Sequence, residues 1–230
     1  MSLQLQISID YFMHSKSILL LLNSLLVIVG FLSTGVAHAA DSYQAMLAAV
    51  KNGNVPVINE LLRKGIDVDS TDRTGSTLLM TASSLGKLDA ARALVAHKAS
   101  VNARNQYGES ALMMAAIRDH RPIVEYLLGS GAEVNPPGWT PLMFAAVKGH
   151  DEIARMLLDK GANVNASSEN GTTALMLAAK EGNLDTVLLL AERGAALNLR
   201  NLAGATALGL ALDGGRKDVA DALIRSGAEQ

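Results

Sequence analysis

From about residue 43 onward the chain repeats one short pattern of apolar and polar positions. Leu79, Leu112, Leu142, Leu175 and Leu208 are each followed three residues later by an alanine, at Ala82, Ala115, Ala145, Ala178 and Ala211. Two residues before each leucine stands a hydroxyl, at Thr77, Ser110, Thr140, Thr173 and Thr206, and two before that a glycine, at Gly75, Gly108, Gly138, Gly171 and Gly204. The glycines recur at intervals of 33, 30, 33 and 33 residues. A second apolar pair closes each unit: Leu61-Leu62, Leu94-Val95, Leu127-Leu128, Leu157-Leu158, Leu190-Ala191 and Leu223-Ile224. Apolar positions three and four apart, recurring at a fixed long period, predict stacked pairs of short amphipathic helices.

The fourth unit shows why each pair forms. Thr140 is a good N-cap, its hydroxyl accepting from an orphan amide, and Pro141 follows at the first helical position, where a missing N–H costs nothing. Leu142, Ala145 and Ala146 then make one apolar stripe, and the alanines let a neighbouring helix come close. Gly149 ends this helix. Asp151 and Glu152 favour the start of a second one, with Ile153, Met156 and Leu157 as its stripe and Gly161 beyond its end. The tail "ANVNASSENG" is extended, with Asn165 and Gly171 supplying turn chemistry. A single unit cannot bury both of its faces, so the units must stack, and the outermost ones need caps that meet water. The first unit begins directly in a helix at Tyr43, and the last, "DVADALIRSGAEQ", breaks its apolar stripe with charge.

The segment "GWTPLMFAAVKGHDEIARMLLDKGANVNA" from Gly138 to Ala166 resembles the ankyrin repeat almost position by position, and the resemblance extends over about Tyr43 to Ala228. It implies an all-α solenoid of six stacked helix-turn-helix repeats, at about 41–70, 71–103, 104–135, 136–166, 167–199 and 200–230. It also implies that each tail becomes a hairpin finger projecting from the helices. Three departures stand out. Lys98 occupies a glycine position, which costs on the order of 1–2 kcal/mol if that site is left-handed. Asp119 replaces another glycine more cheaply. Asn135-Pro136-Pro137-Gly138 makes the finger of the fourth repeat three residues short.

Composition narrows the picture further. With 20 Lys+Arg against 22 Asp+Glu, interspersed along the chain, there is no nucleic-acid footprint. The chain has no cysteine, hence no disulfide framework, thiolate metal site or cysteine nucleophile. Ahead of the repeats, Lys16 precedes an uncharged run whose apolar centre, Ile18 to Leu32, suits a signal peptide better than a membrane span of about 20 residues. Ala37 and Ala39 fit an A-x-A cleavage pattern. The expected signal peptide is therefore 1–39, with the mature chain, 40–230, starting at Ala40. Met13 is an alternative start, because "MHSKS" supplies the short basic segment that such signals carry. The expected destination is the periplasm, with secretion or retention as an inner-membrane signal anchor as the alternatives.

Candidate chemistry is sparse. Met80, Met113, Met143 and Met176 form a row of thioethers, a soft ligand type for Cu(I). Equivalent residues in stacked helices lie roughly 8–10 Å apart, too far to share an ion, so these methionines are expected to be core filler. The same spacing keeps His120 and His150 from sharing a metal, and they read as polar residues at helix starts. Asp151, Glu152 and Asp185 sit where the helix dipole accounts for them. No metalloprotease, nucleophile-elbow, Walker or dinucleotide motif is present, so no catalytic residue, metal or cofactor is assigned. The sequons at Asn165 and Asn170 matter only in a glycosylating pathway, which the bacterial-type signal sets aside.

The resemblance implies a binding surface made of finger tips and the outward positions of first helices. Here these are Arg73, Ser76, Leu85, Tyr107, Glu109, Ile117, Arg118, Trp139, Val147, Lys148, Lys180 and Glu181. Trp139 stands beside the shortened finger, either as an anchor for a partner or folded inward over the vacated space. The expected partner is another protein, with no nucleic acid and, after signal cleavage, no membrane; the chain itself is expected to be a monomer. The expected role is a non-catalytic protein-binding module of the cell envelope that masks or regulates an exported enzyme or toxin, as an inhibitor or immunity protein does. The alternatives are an accessory or protective factor for another periplasmic enzyme, and an enzyme in its own right.

Overall fold

The structure, a computed structural model, describes residues 42–229. The expected signal peptide, the start at Met13 and the mature terminus at Ala40 lie outside the described residues. The described residues form helices and no strands, starting with α1 (residues 42–52) and α2 (Val55–Arg63). The later pairs are α3 (Leu78–Ser84) with α4 (Leu88–Ala96), α5 (Ala111–Ile117) with α6 (Arg121–Gly129), and α7 (Pro141–Lys148) with α8 (Asp151–Asp159). They continue with α9 (Ala174–Glu181) and α10 (Leu184–Glu192), then α11 (Ala207–Asp213) and α12 (Lys217–Arg225). From α3 on, each first helix packs on its own second helix and on the first helices of the neighbouring units. The second helices form a looser outer layer.

Helices of seven to nine residues are not stable alone, so packing must hold them. The repeated leucines Leu79, Leu112, Leu142, Leu175 and Leu208 are each 1% exposed, and the alanines three residues on are fully buried. Each such leucine contributes about 1.5–3 kcal/mol by leaving water. The alanines let the first-helix layer close tightly, which is why it is the denser of the two. Every first helix from α3 on is capped as its sequence predicts. Thr77, Ser110, Thr140, Thr173 and Thr206 each accept from the amide three residues later, at 3.1–3.4 Å. Met80, Met113, Met143 and Met176 are all buried core filler. Two have a further use: the thioethers of Met80 and Met113 accept from the backbone N–H of Thr77 and Ser110 at 3.4 Å, where a capping box usually places a glutamate.

The fingers differ from the expected hairpins. Among the described residues they contain only the isolated bridges Thr71 to Thr77 and Ser167 to Thr173. One backbone bond closes each of four fingers, from Asp72 N to Ser76 O, Asn105 N to Glu109 O, Ser168 N to Thr172 O and Asn201 N to Ala205 O at 3.0–3.1 Å, and side chains reinforce it. Asp72, Asn105 and Asn201 each accept two backbone N–H groups, two and four residues ahead, which closes the finger as an Asx turn. In the shortened finger the residue in this register is Asn135, whose side chain bonds instead to Gly161 O and Asn163 N of the next repeat.

Asn165 also departs from its expected local role, because its side chain bonds mainly to the next repeat. Its Oδ1 accepts from Ala196 N at 2.8 Å, and its Nδ2 reaches Gly194 O at 3.5 Å. Asn102 and Asn135 make the same pair of bonds, to Glu133 N and Gly131 O and to Asn163 N and Gly161 O. Asp69 and Asn198 continue the series by accepting from Ser100 N and Glu229 N. His120 and His150 stand at the N-cap positions of α6 and α8 but make no capping bond. Their Nε2–H groups donate backward to the carbonyls of Ser84 and Ile117, at 3.1 and 3.2 Å. Gly86 makes room for the first of these, since a Cβ there would lie 2.8 Å from the His120 ring.

Three defects gather in the second repeat and at its junction with the first. Lys98 is left-handed, with φ 71°, where its equivalents are glycines. The hydroxyl of Ser83 is fully buried without a partner. Asp69, in the position that Asn102 and Asn135 hold in later units, has no amide hydrogen to offer Lys98's carbonyl.

Candidate protein-binding surface

Two of the four junctions in the row of fingers are stitched by a backbone bond. Gln106 N donates to Thr74 O at 3.0 Å, and Leu202 N to Asn170 O at 2.9 Å. In the shortened finger the residue in the register of Gln106 is Pro136, which has no N–H, so it cannot reach back to Tyr107 O. The row is therefore interrupted between the third and fourth fingers.

Tyr107 and Trp139 stand on the two sides of the interruption, 68% and 45% exposed. Trp139 packs on Phe144 of α7, with centroids 5.4 Å apart and planes at 52°. That contact orients the indole without closing the vacated space. A cavity of about 220 Å³ remains, lined by Tyr107, Glu109, Met113, Trp139 and Phe144 among others. A second of about 400 Å³ adjoins it, sharing Tyr107 and Trp139 and reaching Pro137, Glu169 and Asn170.

The other expected positions divide into two groups. Arg73, Leu85, Arg118, Lys148, Lys180 and Glu181 are exposed, while Ile117 and Val147 are half-buried. None of these eight lines the two cavities. Ser76 is engaged internally, within 2.9 Å of the Thr74 hydroxyl and accepting from Asn105 Nδ2 at 3.3 Å. Glu109 Oε2 likewise accepts from Asn105 Nδ2 at 2.8 Å. Asn105, 8% exposed, thus ties the second finger to the third and sets the backbone on which Tyr107 stands. Asp72 closes the preceding finger, bonding within it alone. Burial works against its charge, but bonds from the Thr74 hydroxyl and from the N–H groups of Ser76 and Thr74 outweigh that and hold its carboxyl below the usual aspartate range.

The profile described as "Ankyrin repeats (3 copies)" matches overlapping stretches, 21–105, 45–137, 102–168, 130–201 and 163–230, which together span most of the chain. The chain belongs to the ankyrin-repeat family. Ankyrin repeats are protein–protein interaction modules and are generally non-catalytic.

Individual relatives share only part of the array. Alpha-latrocrustotoxin-Lt1a of Latrodectus tredecimguttatus is 38% identical over 40% of this chain and 6% of its own length. Ankyrin repeat and SOCS box protein 3 of Bos taurus is 34% identical over 42% of this chain and 19% of its own. L-asparaginase of Dirofilaria immitis is 30% identical over 39% of this chain and 15% of its own. The chain thus spans less than a fifth of each of these proteins. No helix among the described residues is long and apolar enough to cross a membrane.

Two residues of the ankyrin surface were not anticipated from sequence. Asn105 carried a signal, since an Asx residue precedes the finger glycine by three in Asp72, Asn105 and Asn201. Phe144 carried only a weak one: the register of Thr81, Met114, Leu177 and Leu210 turns aromatic in the one repeat that also has the tryptophan.

Proposed function

We propose that this chain is a six-repeat, non-catalytic binding module of the cell envelope that docks another protein on its finger row, centred on Tyr107 and Trp139. By doing so it masks an exported enzyme or toxin. The observation that carries the reading is the interruption at Pro136-Pro137, flanked by two exposed aromatic side chains and open to solvent. A rigid aromatic beside a concavity is the usual make-up of an interface anchor. The core has no need of either ring, since it is built from aliphatic side chains and methionine. The apolar segment Ile18 to Leu32 with Ala37 and Ala39 supports the envelope location.

Capture from an envelope extract tests the docking surface when three baits are compared. The unmodified chain and Leu188→Ala, altered at an exposed position on α10, should retain the same partner. Trp139→Ala should weaken it by roughly thirtyfold, about 2 kcal/mol. Equal retention by Trp139→Ala, or loss with Leu188→Ala alone, refutes the site. Sequencing the mature amino terminus tests the location, with Ala40 expected first; full-length chain in washed membranes would mean an anchor.

A further inference from the structure

We propose that the gap between the third and fourth fingers seats a cationic side chain, a lysine or arginine at the tip of a protruding segment of the protein partner. This rests on the reading that the finger row docks a protein, and it names the chemistry of the anchor that enters.

Residues 46–229 contain four aromatic side chains, Tyr107, Tyr126, Trp139 and Phe144. Three of them bound the single cavity of about 220 Å³, with Met113 beside them. Aromatic faces attract cations through their negative quadrupole, and more strongly where water is partly excluded. They would also accept an alkyl group, so charge decides between the two. Glu109 lies on the wall of this cavity and Glu169 on the adjoining one, and neither cavity has a basic side chain in its lining. Arg104, which reaches Pro137 O at 3.5 Å, is already paired with Glu133 at 2.8 Å. An alkyl group entering here would take water from two carboxylates and return nothing, and an acidic group would be repelled. A cation answers both the rings and the carboxylates. The site is also held in advance: Asn105 fixes one oxygen of Glu109 and the backbone of Tyr107, and Phe144 holds the indole.

Trp139 is the only tryptophan of the chain, so its emission reports occupancy directly. The probes are glycine-serine peptides with arginine, lysine, norleucine or glutamate at the centre, titrated against the purified chain. The two cationic peptides should give a saturable change, norleucine should bind at least about fivefold more weakly, and glutamate should not bind. The double variant Glu109→Gln/Glu169→Gln keeps an acceptor for Asn105, so the turn survives. It should weaken arginine binding by about fivefold or more and leave norleucine within about twofold. The proposal is overturned if norleucine binds as tightly as arginine, if the double variant retains its arginine affinity, or if the arginine peptide gives no saturable response. A partner that is still lost on Trp139→Ala, together with any of these results, leaves the docking surface standing and removes only its preference for cations.

Discussion

Lys98 offers the cleanest test of how this array distributes its stability. It sits just past the end of α4 with φ 71°, while the equivalent Gly65, Gly131, Gly161, Gly194 and Gly227 have φ between 83 and 99°. An L-residue in that region costs about 1–2 kcal/mol. Substituting glycine removes the strain but frees the unfolded chain, which returns about 0.4–1 kcal/mol. Lys98→Gly should therefore stabilise by roughly 0.5–1 kcal/mol net. Nothing else of note changes: Lys98 is exposed, and the bonds from Lys98 N to Val95 O and from Ala99 N to Leu94 O involve only backbone. Thermal unfolding should shift upward by about 1–4 °C. Because coupling runs between nearest neighbours, the gain should concentrate in the second repeat, where amide protection should rise about two- to fivefold. Lys98→Ala is the control, since a methyl group is strained at this φ as well; it should leave the midpoint unchanged within a few tenths of a kcal/mol. The strain argument fails if the alanine variant gains as much as the glycine variant. It fails equally if Lys98→Gly lowers the midpoint, or if hydrogen exchange finds the second repeat the best protected of the array.

Ser83→Ala should also stabilise, by about 1 kcal/mol in a denaturant titration, because a buried hydroxyl without a partner gives way to the alanine found at Ala116, Ala146 and Ala179; a loss of stability would mean that the hydroxyl has a partner. Asn135→Ala removes the two bonds to Gly161 O and Asn163 N, and should cost about 1–2 kcal/mol while broadening the unfolding transition as the third and fourth repeats uncouple. Asp72 has its carboxyl held low in the folded state, so its stabilisation is present above the unfolded value and fades as pH falls through the lower folded one, below about pH 4. Asp72→Asn, which puts in place the residue found at Asn105 and Asn201, should keep the turn and flatten that part of the pH–stability curve; an unchanged acid limb would refute the assignment.

The sequence by itself determined the helices and how they are capped. Thr140, Pro141, Leu142, Ala145 and Gly149 act over a single short helix, and such local preferences, repeated in register, are legible without coordinates. The left-handed strain at Lys98 was legible for the same reason, by comparison with the glycines of other repeats. What the long polar side chains do could be decided only by the tertiary structure. Asn165 has turn chemistry in sequence, yet its carbonyl oxygen meets Ala196 N, and the ring of His120 turns from its own helix to Ser84 O. Each has several backbone groups within reach, and the offset between stacked repeats selects among them. The binding surface divides in the same way. Tyr107, Trp139 and Glu169 could be named from their register, but Phe144 joins them only because the three lost residues and Pro136 leave a gap that neighbouring repeats do not close. A gap is a property of how repeats pack, so the residues that line it come from parts of the chain that no local pattern connects.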